Sequence, residues 1–131
     1  MSLADFHPTY LRVEQIDDAT VQAWFTTSKL ADDVNIEQMG HELTALLERY
    51  NVRRLIISFA KVEYLTSAAL GKLITLHRRL HRAQGSLVMC EIGDSVMDIM
   101  RTSRLEKYFR IVPDREAALA ALAEVNSSPS S

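Results

Sequence analysis

The sequence predicts an α/β fold, a mixed and mostly parallel sheet flanked by helices in the order β-β-α-β-α-β-α-β-α. Two observations carry that prediction. Two short strand-like runs open the chain, and after them continuous apolar runs alternate with segments of helical periodicity. A hairpin followed by helix-strand alternation places the later strands parallel in one sheet.

The opening runs are "TYLRVEQI" and "TVQAWFTT", separated by Asp17-Asp18, whose short polar side chains favour a turn. The segment "NIEQMGHELTALLERY" then sets Ile36, Met39, Leu43, Leu46, Leu47 and Tyr50 on one helical face. Asn35 is available as its N-cap, with Gln38 three residues on. Gly40 inside this helix lowers its propensity and suggests close packing by a neighbour. "RRLIISF" reads as a central strand, since an unbroken apolar run suits a sheet covered on both faces.

From Thr66 onward, Leu70, Leu73, Ile74, Leu76 and Leu80 keep helical spacing, and Gly85 is expected to end that helix before the buried strand "SLVMCEI". These three segments form a β-α-β unit. "GDSVMDIMRTSRL" opens with a turn and an Asp94 or Ser95 cap and puts Val96, Ile99 and Met100 on one face of a short helix. A last strand is expected at "YFRIV", and Pro113-Asp114 then opens the helix-forming "REAALAALAEV". Residues 1–125 therefore read as one domain. The tail at 126–131, "NSSPSS", has too little apolar content to pack and is expected to be disordered.

A chain of 131 residues with 47% hydrophobic content suits a single domain with its own core. The lone cysteine, Cys90, sits in an apolar run and cannot belong to a disulfide framework, which fits a reducing compartment. With no signal-like start and no apolar run of membrane-spanning length, the expected location is cytoplasmic, with no membrane partner. The net charge of −2 hides an asymmetry. Residues 1–50 hold 3 Lys/Arg against 9 Asp/Glu, and residues 51–131 hold 12 against 8. An acidic chain lacks the footprint of a nucleic-acid binder, although Arg78, Arg79, His81 and Arg82 cluster with His77 near a helix C-terminus, where cations complement the carbonyl end.

The chemistry-bearing motifs are largely missing. Four glycines, at 40, 71, 85 and 93, form neither GxGxxG nor GxxxxGK[ST], so no nucleotide cofactor is expected. His77 and His81 lie one helical turn apart without a third ligand, so no metal is expected either. No GxSxG elbow surrounds Ser67, and the paired acids Asp17-Asp18 and Asp32-Asp33 suit turns and caps better than general acid-base work. The expectation is a protein that is not an enzyme. Ser67 remains notable, because it falls in the first turn of a helix, where backbone N–H groups lack intrahelical acceptors and a phosphate would be accommodated. The simpler reading is that Thr66 or Ser67 caps the helix.

The stretch "VRRLIISFAKVEYLTSAALGKLITLHRRLHRAQGSLVMCEIGDSVMDIMRTSRLEKYFRIV" resembles a STAS domain, the fold of bacterial anti-sigma factor antagonists. In that family a partner-switching serine kinase, itself an anti-sigma factor, phosphorylates a serine in a segment reading Asp-Ser-Ser-Gly-Leu. Aligning Leu70 and Gly71 puts that serine at Ser67, with Thr66 where the family has Asp and Ala68 and Ala69 in place of Ser-Gly. The family's early Gly-Glu-Leu-Asp falls on Ser28, Lys29, Leu30 and Ala31, with Asp32 adjacent. The resemblance implies a phosphorylation switch at Ser67, with Thr66 as a second candidate. It further implies binding to the kinase when Ser67 is unmodified and resetting by a serine phosphatase. The expected binding face comprises Ser28, Lys29, Asp32, Asp33, Thr66, Ser67 and Lys72. The alternative is a non-switching interaction or ligand-sensing module in which Ser67 is only a cap.

Overall fold

The structure, a computed structural model, describes residues 3–127. Strand β1 (Leu11–Gln15) turns at Asp17 into β2 (Thr20–Phe25), and the two pair antiparallel with Arg12 opposite Trp24. The Asp17 carboxylate accepts the Ala19 N–H at 3.0 Å, which fixes the turn. After β3 (Lys29–Leu30) and α1 (Asp33–Glu48), β4 (Arg54–Ser58) joins β2 in parallel register. Then β5 (Tyr64–Leu65), α2 (Ser67–Arg82), β6 (Ser86–Cys90), α3 (Asp94–Thr102), β7 (Arg110–Val112) and α4 (Arg115–Ser127) follow. The main sheet has the order β1-β2-β4-β6-β7, with every pairing after the hairpin parallel.

Alternation along the strands sends side chains to two cores. Val21, Ala23, Leu55, Ile57, Leu87 and Met89 meet the apolar faces of α1, α2 and α3. Ile56, Val88 and Cys90 meet Ala118, Ala121 and Leu122 of α4 on the opposite face. The unbroken apolar runs follow from this double cover.

Several local expectations need correction. Asp32 rather than Asn35 caps α1, its Oδ1 accepting the Val34 N–H at 2.8 Å, and Asn35 instead accepts the Tyr10 hydroxyl at 2.7 Å. At the end of α2 it is Gln84, not Gly85, that takes a left-handed conformation, with φ 62°. Gly85 is required for a different reason: a Cβ there would lie 2.2 Å from the Arg53 carbonyl oxygen. Gly93 stands at the N-cap of α3 with no side-chain cap, so neither Asp94 nor Ser95 does that job. Beyond the expected order, β3 and β5 add a separate two-stranded sheet. Residues 128–131 of the expected tail lie outside the described residues, and 126 and 127 fall in the last turn of α4.

Before β1, residues 3–10 lie along α1. The buried Glu42 carboxylate accepts the backbone N–H groups of Thr9 at 2.9 Å and Tyr10 at 2.8 Å, together with the Gln38 amide at 3.0 Å. Three donors compensate a carboxylate that burial would otherwise penalise.

Candidate partner-binding site

The small sheet brings together two segments that lie 35 residues apart. β3 and β5 run parallel, with Lys29 opposite Tyr64 and Leu30 opposite Leu65. The Ser28 carbonyl accepts the N–H groups of Glu63 at 2.7 Å and Tyr64 at 3.2 Å, while the Leu30 carbonyl accepts the Thr66 N–H at 3.1 Å. Leu30 and Leu65 are buried beneath this sheet, so by strand alternation Lys29 and Tyr64 face outward. Loop and hydroxyl pair therefore form one surface.

Each segment runs straight into a helix N-terminus. Asp32 caps α1, and Thr66 caps α2, its Oγ1 accepting the Ala69 N–H at 3.4 Å. Ion pairs Glu37–Lys72 at 2.9 Å and Glu48–Arg79 at 2.6 Å join α1 to α2 at both ends, so the helices run side by side in the same direction. The two N-termini consequently open at the same end of the molecule. Gly40 permits this approach: a Cβ there would lie 3.1 Å from Lys72 Cδ, which confirms the close packing expected of it.

Ser67 differs from its neighbour. It is exposed, and its hydroxyl makes no hydrogen bond among the described residues, whereas Thr66 is half-buried and committed to the cap. The capping alternative thus applies to Thr66 alone. No acidic residue occupies the first turn of α2, which leaves the positive end of its dipole uncompensated by its own side chains.

The remaining expected residues fall as follows. Ser28 is half-buried and contributes its carbonyl, Lys29 and Asp33 are exposed, and Asp32 is exposed but engaged as a cap. Lys72 is tied to Glu37 over Gly40, so its ammonium helps join the helices rather than standing free. Sequence reasoning missed Val34 and Tyr64, which are 72% and 47% exposed and are two of the most exposed large apolar side chains described. Their signal was an apolar residue inside a capping segment and inside a two-residue strand, where no periodicity assigns a face.

Elsewhere the chemistry is sparse. No cluster of three or more His, Cys, Asp or Glu suited to a metal occurs among the described residues. His77 packs against Tyr108 and Phe109 at ring separations of 4.9 and 5.8 Å, as a boundary residue does. Burial pushes the Cys90 thiol up to about 12, so it stays protonated and unreactive. No described helix is long and apolar enough to cross a membrane.

Known proteins match this arrangement. BtrV of Bordetella bronchiseptica, described as a candidate anti-sigma factor antagonist, is 30% identical over 92 residues, which is 70% of this chain and 78% of BtrV. An anti-sigma factor antagonist from Mycobacterium paratuberculosis superposes with a TM-score of 0.74 at 21% identity, over 86% of this chain and 92% of that one. The phosphorylated form of SpoIIAA, a Bacillus cell fate determinant, superposes with a TM-score of 0.65 at 17% identity, over 85% and 98% of the two chains. The two solved structures share the fold, and the family model described as the STAS domain matches residues 10–118, from the start of β1 into α4. The chain belongs to the STAS domain family.

Proposed function

We propose that this protein is a phospho-regulated binding module of the anti-sigma factor antagonist kind. In this reading it binds a partner-switching serine kinase, itself an anti-sigma factor, through the β3–β5 surface and the two helix N-termini. Phosphorylation of Ser67 releases that partner, and a serine phosphatase restores binding. The observation that carries the reading is the division of labour at the start of α2, where Thr66 caps and the Ser67 hydroxyl is left exposed. The relationship to BtrV and the existence of a phosphorylated SpoIIAA support it.

The physical argument is electrostatic. A phosphate adds about −1.5 to −2 charge, which the N-terminus of α2 tolerates, so the fold survives while the surface becomes sharply more negative. At a desolvated interface a charge facing an unmatched partner costs several kcal/mol, and each 1.4 kcal/mol is about tenfold in affinity. Val34 and Tyr64 supply the apolar contacts of the unmodified complex.

The test is mass spectrometry of the protein from its native cells, with and without phosphatase, combined with capture of partners by wild type, Ser67→Ala and Ser67→Asp. Phosphate on Ser67 and a kinase-like protein retained by wild type and Ser67→Ala but lost with Ser67→Asp is the expected result. Equal retention by the two variants would refute the electrostatic release. Phosphate on Thr66 alone would move the switch by one residue and require the cap to break.

A further inference from the structure

On the α4 face of the sheet, the carboxyl ends of β2 and β4 are left open beside that helix, which covers Ile56, Val88 and Cys90 instead. Arg12, Trp24, Thr26, Ser58, Ala60 and Lys61 line a cavity of about 400 Å³ there. Carboxyl ends of parallel strands are the usual ligand position in open α/β sheets, and this volume falls in the range of small-molecule sites.

The lining defines the chemistry. The indole of Trp24 supplies an apolar wall, and the Arg12 guanidinium stacks over that ring at 4.4 Å. Arg12 and Lys61 are both exposed, and neither forms an ion pair among the described residues. The Ser58 hydroxyl donates to Glu91 Oε1 at 2.7 Å and accepts the Ala60 N–H at 3.3 Å, which fixes the strand end beneath the cavity. Glu91 is itself held in a left-handed conformation, with φ 58°, a local strain of the kind that accumulates at binding sites.

We infer that this cavity binds a small organic anion, a planar apolar body against Trp24 with a carboxylate or phosphate held by Arg12 and Lys61. Occupancy reaches the partner surface through the backbone. Thr26 lies two residues before Ser28, and Lys61 two residues before Glu63, and the Ser28 carbonyl accepts the Glu63 N–H at 2.7 Å. A ligand bridging the two links stiffens the base of the β3–β5 sheet. Binding itself is independent of Ser67; only its effect on partner affinity rests on the function proposed above.

Trp24 is the sole tryptophan, so a ¹⁵N-labelled full-length chain has a single indole N–H resonance that reports on the cavity. The probes are 2-naphthoate, 2-naphthyl phosphate, the uncharged 2-naphthamide and inorganic phosphate. One or both organic anions should shift the indole peak and the Thr26 and Ala60 amides in a saturable way, the tighter of the two identifying the headgroup. The amide should bind about tenfold more weakly, as should either anion to the Arg12→Ala/Lys61→Ala double variant, whose unchanged spectrum elsewhere reports an intact fold. The proposal is overturned if neither anion gives saturable shifts at about 5 mM, well above a millimolar Kd. It is overturned equally if the amide or inorganic phosphate binds as tightly, or if the double variant binds like wild type. None of these outcomes bears on phosphorylation of Ser67.

Discussion

Replacing Ser67 by aspartate should make the folded chain more stable while weakening its partner complex. Ser67 is the first residue of α2, exposed and without a side-chain hydrogen bond among the described residues, and no acid occupies that first turn. A carboxylate there faces the positive end of the helix dipole, worth about 0.3–1 kcal/mol when exposed. Asp32, Asp33 and Glu63 on the adjoining segments favour the lower end of that range. With an unfolding entropy of about 2.1 cal/mol/K per residue over 131 residues, the gain corresponds to a rise in Tm of about 1–4 °C. Urea unfolding of wild type, Ser67→Asp and Ser67→Asn separates charge from shape, since only the aspartate should gain and its m-value should match wild type. About 1 M salt should abolish most of the difference. Loss of stability in Ser67→Asp, or an equal gain in Ser67→Asn, would refute the dipole argument. Release by phosphorylation would then have to proceed through melting of the first turn of α2 rather than through surface charge.

Two further predictions probe the scaffold. Gly85→Ala should cost about 2 kcal/mol or more, because its Cβ meets backbone at Arg53 that cannot swing aside, whereas Gly71→Ala, with open space around it and a helical backbone, should stabilise by about 0.5–1 kcal/mol; thermal unfolding of the pair tests both signs. Burial, and secondarily the charge of neighbouring His81, holds His77 below its ordinary 6.5, so the unfolded chain takes up that proton more readily than the folded one. The stability tied to neutral His77 is therefore complete above about pH 6.5 and is lost as pH falls below it. Denaturant midpoints between about pH 7.5 and 5.5 should fall less steeply in His77→Gln than in wild type, and equal slopes would contradict the assignment.

Long elements were legible because they repeat a period. The apolar faces of α1 and α2 and the double-covered strands β4 and β6 each offer several residues in phase, and these fell where expected except Tyr50, which is buried just beyond the end of α1. Short or long-range features offer no such redundancy. β3 and β5 have two residues each, too few for a repeat to show, so the sheet joining Ser28 to Tyr64 could not be read from the sequence, although the resemblance had placed its two segments on one face. Asp32 and Asn35 are both good caps within one turn of each other, and the Tyr10 hydroxyl that occupies Asn35 comes from 25 residues away. Lys72 looked free for the same reason, since its partner Glu37 lies on another helix. Arg12, Trp24 and Lys61 meet in one cavity only because hairpin register and a parallel crossover align three separate segments.

The strap over α1 has a practical consequence for anyone trimming this chain. Sequence matching begins the domain at residue 10, yet Thr9, just before it, joins Tyr10 in supplying the N–H groups that satisfy Glu42. Phe6 packs at a tilt against Tyr50 with ring centroids 5.3 Å apart, and Asp5 accepts the Tyr50 hydroxyl at 2.8 Å. A chain begun at Leu11 would keep every strand of the sheet and still leave a carboxylate facing solvent through a stripped helix. The packed structure thus extends further towards the N-terminus than the pattern by which the family is recognised, tied there by Glu42 and Tyr50.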